Sequence, residues 1–178
     1  WPAKPVRIVV PFAAGGTTDI LAPALAPEVQ RVFGQSFVVD NKPGAGGNNG
    51  AAEVAKAGGD GYTLLMATST TLGISPALYR SSPIDPIRDF APVSQVGSVN
   101  FFLIANPAFP AKTVGEAIEA IRGNPGKFNY ASVGSGSPHH LFMEALKAEL
   151  GLSIQHVPYK GTQAAIPDLL TGGVQMMF

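Results

Sequence analysis

Val6-Arg7-Ile8-Val9-Val10, then Pro11-Phe12-Ala13-Ala14-Gly15-Gly16, then Thr17-Thr18-Asp19 spell a strand, a loop and a helix start in direct succession. The β-branched run suits a buried strand. Thr17-Thr18-Asp19 predicts an N-cap with an acidic first turn. Leu21, Leu25, Val29 and Val32 then recur as one helical stripe that stops at Gly34, with Pro23 and Pro27 inside it. A proline in a helix interior removes a backbone donor and clashes with the preceding turn, so these two predict a kink or break.

The same alternation continues along the chain. Ser36 to Asp40 reads as a second strand, followed by a glycine-rich loop over Pro43 to Gly50 and a small-residue helix over Ala51 to Ala57. Tyr62 to Ala67 reads as a third strand that ends in the polar loop Thr68-Ser69-Thr70-Thr71. Ser75 to Pro92 is proline-rich and irregular, and Val93 to Ala105 reads as one or two strands. Thr113 caps a helix over Val114 to Arg122, with Ala117, Ile118 and Ile121 inward; Asn129 to Val133 is a strand; Gly134-Ser135-Gly136-Ser137-Pro138 opens a helix that runs to Leu150. Ile154 to Val157, Thr162 to Leu170 and Val174 to Phe178 follow as strand, helix and the beginning of a strand. Strands alternating with helices predict an α/β fold with mostly parallel sheets. The expected crossing between domains lies near Ser98 to Phe101, giving a first α/β domain over 1–99 and a second over 100–178.

Composition bounds the function. The 178 residues are 46% hydrophobic and 13% charged, enough apolar material for a sizeable core. Twelve basic residues balance twelve acidic ones without a basic stripe, which argues against nucleic acid as a partner. Cysteine is absent, which removes disulfides, thiolate metal sites and a cysteine nucleophile. No run approaches the length of a membrane span.

Three polar loops fall at the carboxyl ends of strands: Phe12 to Asp19, Thr68 to Thr71, and Gly134 to Ser137. Open α/β sheets bind ligands at that edge. Two of these loops also open helices, whose N-termini carry unpaired N–H groups and a partial positive charge. None contains lysine or arginine. A small anion held by backbone is therefore the expected ligand, with ordinary strand-to-helix turns as the structural alternative for each loop taken singly. Gly44 to Gly50 mimics a dinucleotide-binding loop, and a nucleotide-dependent α/β enzyme using it is the alternative function. Its G-x-G-x-x-x-G spacing is wrong, and the next strand ends without an acidic residue, so a close-packed turn is the better reading. Neither Ser135 nor Ser137 lies in a G-x-S-x-G elbow, which argues against a hydrolase. His139 and His140 are adjacent and diverge on a helix, so they do not form a metal pair; structural roles are expected, with His139 a candidate to reach the ligand. No catalytic residue, metal or cofactor is expected.

Several segments together are similar to one family. Pro5-Val6-Arg7-Ile8-Val9-Val10-Pro11-Phe12 with Gly15-Gly16 and Asp19 resembles the opening of the Bug family, the periplasmic substrate-binding proteins of tripartite tricarboxylate transporters. Asn41-Lys42-Pro43-Gly44-Ala45-Gly46-Gly47-Asn48, Asp60-Gly61-Tyr62-Thr63-Leu64-Leu65, Ala131-Ser132-Val133-Gly134-Ser135-Gly136-Ser137-Pro138 and Val157-Pro158-Tyr159-Lys160-Gly161 resemble its later signatures. The resemblance implies a two-domain, type II Venus-flytrap protein without catalytic activity, located in the periplasm with its signal peptide removed. It implies a small carboxylate ligand (a dicarboxylate, an acidic amino acid or an aromatic carboxylate) held by backbone amides and waters in an interdomain cleft. It further implies membrane transporter subunits as partners and a monomeric receptor. Carried over residue by residue, the expected contacts are Phe12, Ala14, Gly15, Thr17, Thr18 and Asp19 in the first loop, Thr68 and Ser69 in the next, and Gly134, Ser135, Gly136, Ser137 and His139 in the last. Family members are longer, so both domains are expected to be incomplete, with a C-terminal return to the first domain missing.

Overall fold

The computed structural model describes residues 1–178. The chain divides into two units, Trp1–Ser98 and Val99–Phe178.

The first unit is a parallel sheet of β1 (Val6–Val10), β2 (Phe37–Asn41) and β3 (Thr63–Leu65) in the order β2-β1-β3. Alternation along β1 sends Val6, Ile8 and Val10 to one face, where they join Ala22, Ala26, Phe37 and Met66. Ala22 and Ala26 belong to α1 (Thr17–Phe33). Fully buried Val9 points to the other face, and α2 (Asn48–Ala55), with buried Ala51, packs against β1 and β3. At the N-terminus, Trp1 meets Phe33 edge-on at 5.4 Å, Phe37 at 6.4 Å and Tyr62 at 6.0 Å. A π-helical segment, Thr70–Ile74, runs into the short α3 (Ser75–Leu78).

Helix α1 corrects two expectations. It is continuous through Pro23 and Pro27. The two rings are four residues apart and both exposed, turned away from the face that buries Ala22 and Ala26. Each ring leaves the carbonyl one turn earlier without its intrahelical donor, a loss that water can offset on a solvent-facing side. The core stripe is also rotated from the one expected: Ala22 and Ala26 are buried, Leu25 and Val29 partly so, and Val32 is exposed. Two further segments differ. The expected polar loop Thr68 to Thr71 is already helical from Thr70, because the Thr68 hydroxyl accepts the Thr71 amide at 3.3 Å and starts the turn. Of Val93 to Ala105 only β4 (Ile104–Ala105) pairs; residues 91–100 are exposed, so their β-branched content has no sheet face to fill.

The second unit is a four-stranded sheet in the order β4-β7-β5-β6, from β4, β5 (Asn129–Ser132), β6 (Gln155–Pro158) and β7 (Met176–Met177). Only the β4–β7 pairing is antiparallel. On one face, Tyr130 packs with Ala117 and Ile121 of α4 (Val114–Gly123), Met143 of α5 (Pro138–Leu150), and Phe109, Phe128, Leu152, Ile154 and Met176. On the other, Ala131 packs with Val174, Met177, and Ala165 and Leu169 of α6 (Thr162–Thr171). Thr113 caps α4 as expected, accepting the Glu116 amide at 3.2 Å. No helix is long and apolar enough to cross a membrane.

Candidate functional site

Strand order places the candidate loops. In the first sheet the chain passes from β1 through α1 to β2 on one side, then through α2 to β3 on the other. The reversal falls between β1 and β3, and the loops after these two strands flank it. In the second sheet β5 leads to β6 on one side and β6 returns to β7 on the other, so the loop after β5 lies at the reversal. Open α/β sheets bind ligands at the carboxyl edge beside such a reversal.

The first loop is locked by Asp19. One carboxylate oxygen accepts the Gly15 amide at 2.8 Å and the other accepts the Asn41 side-chain amide at 2.8 Å. The same Asn41 nitrogen donates to the Phe12 carbonyl at 3.1 Å, tying the loop to the end of β2. The Gly15 amide, and then Asn41, hold the Asp19 carboxyl below its ordinary value. Asp19 stands in the acidic first turn, as the sequence suggested, but Thr17 and Thr18 do not cap the helix. Gly16 is the cap, with extended backbone and no side-chain bond, and Thr17 is already helical. The carbonyl of Gly16 accepts the amides of Asp19 at 3.0 Å and Ile20 at 3.1 Å. The amides of Thr17 and Thr18, at the head of α1, have no intrahelical acceptor. Phe12 and Thr18 are half-buried and Ala14 is exposed.

Behind this loop sits the glycine-rich turn. A Cβ on Gly47, whose φ is +94°, would stand 2.5 Å from the Thr71 hydroxyl and 3.3 Å from the Phe12 ring. A Cβ on Gly50 would stand 3.0 Å from both Pro11 and the Lys42 carbonyl. The glycines are needed because the turn packs against the loops after β1 and β3, the close-packed turn expected from its spacing. Thr68 reaches the Thr71 hydroxyl at 3.2 Å, and Ser69 is exposed.

In the second unit, Ser137 caps α5. Its hydroxyl accepts the His140 amide at 3.4 Å and donates to the Gly134 carbonyl at 2.7 Å, and Pro138 follows in the first turn. Three amides of this loop are engaged within the unit: Gly134 with the Ser132 hydroxyl at 3.1 Å, Gly136 with His140 Nδ1 at 3.2 Å, and Ser137 with the Gly134 carbonyl at 3.2 Å. Exposed Ser135 and the head of the helix at His139 carry the remaining N–H groups. The His139 ring meets Phe101 edge-on at 5.1 Å, and its buried Nδ1 has no partner. Burial pushes its pKa down, so the ring is neutral.

A polar cluster under this loop was missed by sequence reasoning. His140 and His156 stack with centroids 4.2 Å apart. His156 stacks in turn on Tyr130 at 5.0 Å, and its Nε2 lies 2.6 Å from the Ser132 hydroxyl. Glu144 accepts the Tyr130 hydroxyl at 2.5 Å and Lys147 at 2.6 Å. Burial alone would raise the Glu144 carboxyl, but these two bonds together with nearby positive charge hold it below its ordinary value. Burial, and then the Glu144 carboxylate, raise the Tyr130 phenol. The available signal was register: a strand residue at 156 pairs with 130, and 140 and 144 share one face of α5.

A model of the tripartite tricarboxylate transporter family receptor matches residues 21–178. The chain belongs to this receptor family. Among curated relatives, the protein BugT of Bordetella pertussis is 39% identical over 175 residues, covering 98% of this chain and 54% of BugT. Among solved structures, Rpa4515 of R. palustris with adipate is 38% identical with a TM-score of 0.93, covering 99% of this chain and 59% of that one. MatC of Rhodopseudomonas palustris with bound malate is 33% identical with a TM-score of 0.88, covering 99% of this chain and 60% of that one. This receptor-family chain thus spans about half the length of the curated relatives it matches. The periplasmic-binding-protein α/β fold with mostly parallel sheets holds in both units.

Proposed function

We propose that this chain is part of a periplasmic solute-binding protein that captures a small organic carboxylate, without catalysis, and hands it as a monomer to a tripartite tricarboxylate transporter. The observation that carries this reading is chemical. The loop opening α1 and the loop opening α5, each beside its sheet's reversal, offer helix-head amides with no lysine or arginine among them. Such amides suit a compact anion. The relatives solved with adipate and malate favour a dicarboxylate over an acidic amino acid or an aromatic carboxylate.

In this reading each unit contributes helix-head amides to the ligand. Gly16, Thr17 and Thr18 are the amide donors of the first unit, and Ser135 and His139 those of the second. Gly15, Gly134, Gly136 and Ser137 shape the loops through the internal bonds described above. Phe12, Ala14, Asp19, Thr68 and Ser69 complete the surroundings, with water bridging the remainder. Native mass spectrometry of the purified full-length protein, then calorimetry with adipate, malate, glutamate and benzoate, tests the proposal. The expected result is a carboxylate adduct and saturable binding of at least one dicarboxylate. Absence of carboxylate binding, or a bound structure in which an arginine grips the ligand, would overturn it.

A further inference from the structure

The histidine pair beneath the α5 loop has a role beyond packing. We propose that His140 is a positioning residue for the Gly134–Ser137 loop, accepting the Gly136 amide through an unprotonated Nδ1 that is held in place by stacking on His156. The inference rests on the carboxylate-binding reading above.

Four observations converge on it. Gly136 donates to His140 Nδ1 at 3.2 Å, and a ring nitrogen accepts only when it carries no proton. His140 Nε2 lies 4.0 Å from Glu144 Oε1, which favours the remaining ring proton on that side. The His156 ring lies 4.2 Å from His140, tilted by 30°, and fixes its plane. His156 also reaches the same loop: its Nε2 is 2.6 Å from the Ser132 hydroxyl, which accepts the Gly134 amide at 3.1 Å. Two stacked imidazoles therefore hold two glycine amides of one loop, one directly and one through a serine.

Glu144 from α5 and His156 from β6 face His140; Lys147 of α5 and Tyr130 of β5 bond to Glu144, and Tyr130 and Ser132 of β5 contact His156. Burial, and then the neighbouring His140, push His156 below its ordinary pKa. Protonating His140 converts Nδ1 from acceptor to donor, facing the Gly136 N–H. The bond is lost, and the loop is freed from that anchor. Carboxylate affinity should therefore fall on acidification, once Nδ1 carries a proton.

The test compares full-length wild type with His140→Asn and His140→Leu. Asparagine places an oxygen acceptor where Nδ1 stood and does not titrate; leucine removes the acceptor. Adipate and malate affinities are measured at several pH values from about 5.5 to about 8, and the Gly136 amide resonance is followed by NMR without ligand. At neutral pH His140→Leu should weaken binding by about two- to ten-fold, the worth of one hydrogen bond, and His140→Asn should recover most of that loss. The ratio of wild-type to His140→Asn dissociation constants, which cancels the ligand's own ionisation, should rise on acidification. The Gly136 resonance should move with pH in wild type and stay fixed in His140→Asn. An asparagine variant as weak as the leucine variant, or a pH-independent ratio with an immobile Gly136 resonance, would overturn the inference. If wild type binds neither dicarboxylate, the functional reading fails, and the Gly136 titration still decides the role of His140.

Discussion

Ser137 holds the head of α5 in two ways. Its hydroxyl both caps α5 and closes the turn onto the Gly134 carbonyl. Ser137→Ala should cost about 0.5–2 kcal/mol of stability through the lost cap, read as a lower denaturation midpoint at unchanged slope. Affinity should drop beyond what that destabilisation explains, because the Gly134–Ser137 turn loses its clamp. Unchanged melting together with unchanged affinity would contradict both roles. This residue was legible in the sequence, since serine before proline at the head of an apolar stripe has few other meanings. Asp19 was only half legible. Its place in the first turn could be read, but its bonds to Gly15 and Asn41 depend on Asn41 arriving at the end of β2, a long-range register that no local pattern encodes.

Helices and strands differed in how far they could be read ahead. β1, α4 and the start of α5 carry strong local signals and stand where expected. Helix α1 resisted reading because a proline's cost depends on which face it occupies, and that is set by tertiary burial. Pro27 is exposed and its ring contributes nothing to the core around Ala22 and Ala26. Pro27→Ala should restore a backbone hydrogen bond and stabilise the first unit. The gain should be up to about 3 kcal/mol, reduced by the greater freedom alanine gives the unfolded chain. Thermal unfolding followed by circular dichroism checks this; a lower melting temperature would show that the two prolines contribute packing. Residues 93–103 failed in the opposite direction. Val93, Val96 and Val99 have strand-like side chains but are exposed, and propensity without a sheet partner does not make a strand.

At the scale of the whole molecule, charge is the informative quantity. The chain is formally neutral, with twelve cationic and twelve anionic side chains, and the candidate loops hold no lysine or arginine. A carboxylate held by amides in such a setting is not drawn in by a long-range field. Its affinity should change by less than about three-fold between about 0.05 and about 0.5 M salt, whereas a site built on exposed cations would weaken steeply. Calorimetry across that range distinguishes the two.

The placement of the single tryptophan has an optical consequence. Trp1 lies against Phe33, Phe37 and Tyr62 at the edge of the first unit, with 61% of its surface exposed. Within this chain, indole emission therefore reports on that edge. The second unit holds Tyr130 and Tyr159, with the Tyr159 phenol pushed up to about 12 by Asp168, so both of its phenols stay dark to ordinary alkaline titration. Trp1 would not sense loosening of the α5 loop, and an unaltered emission from Trp1 should not be taken as an unaltered second unit.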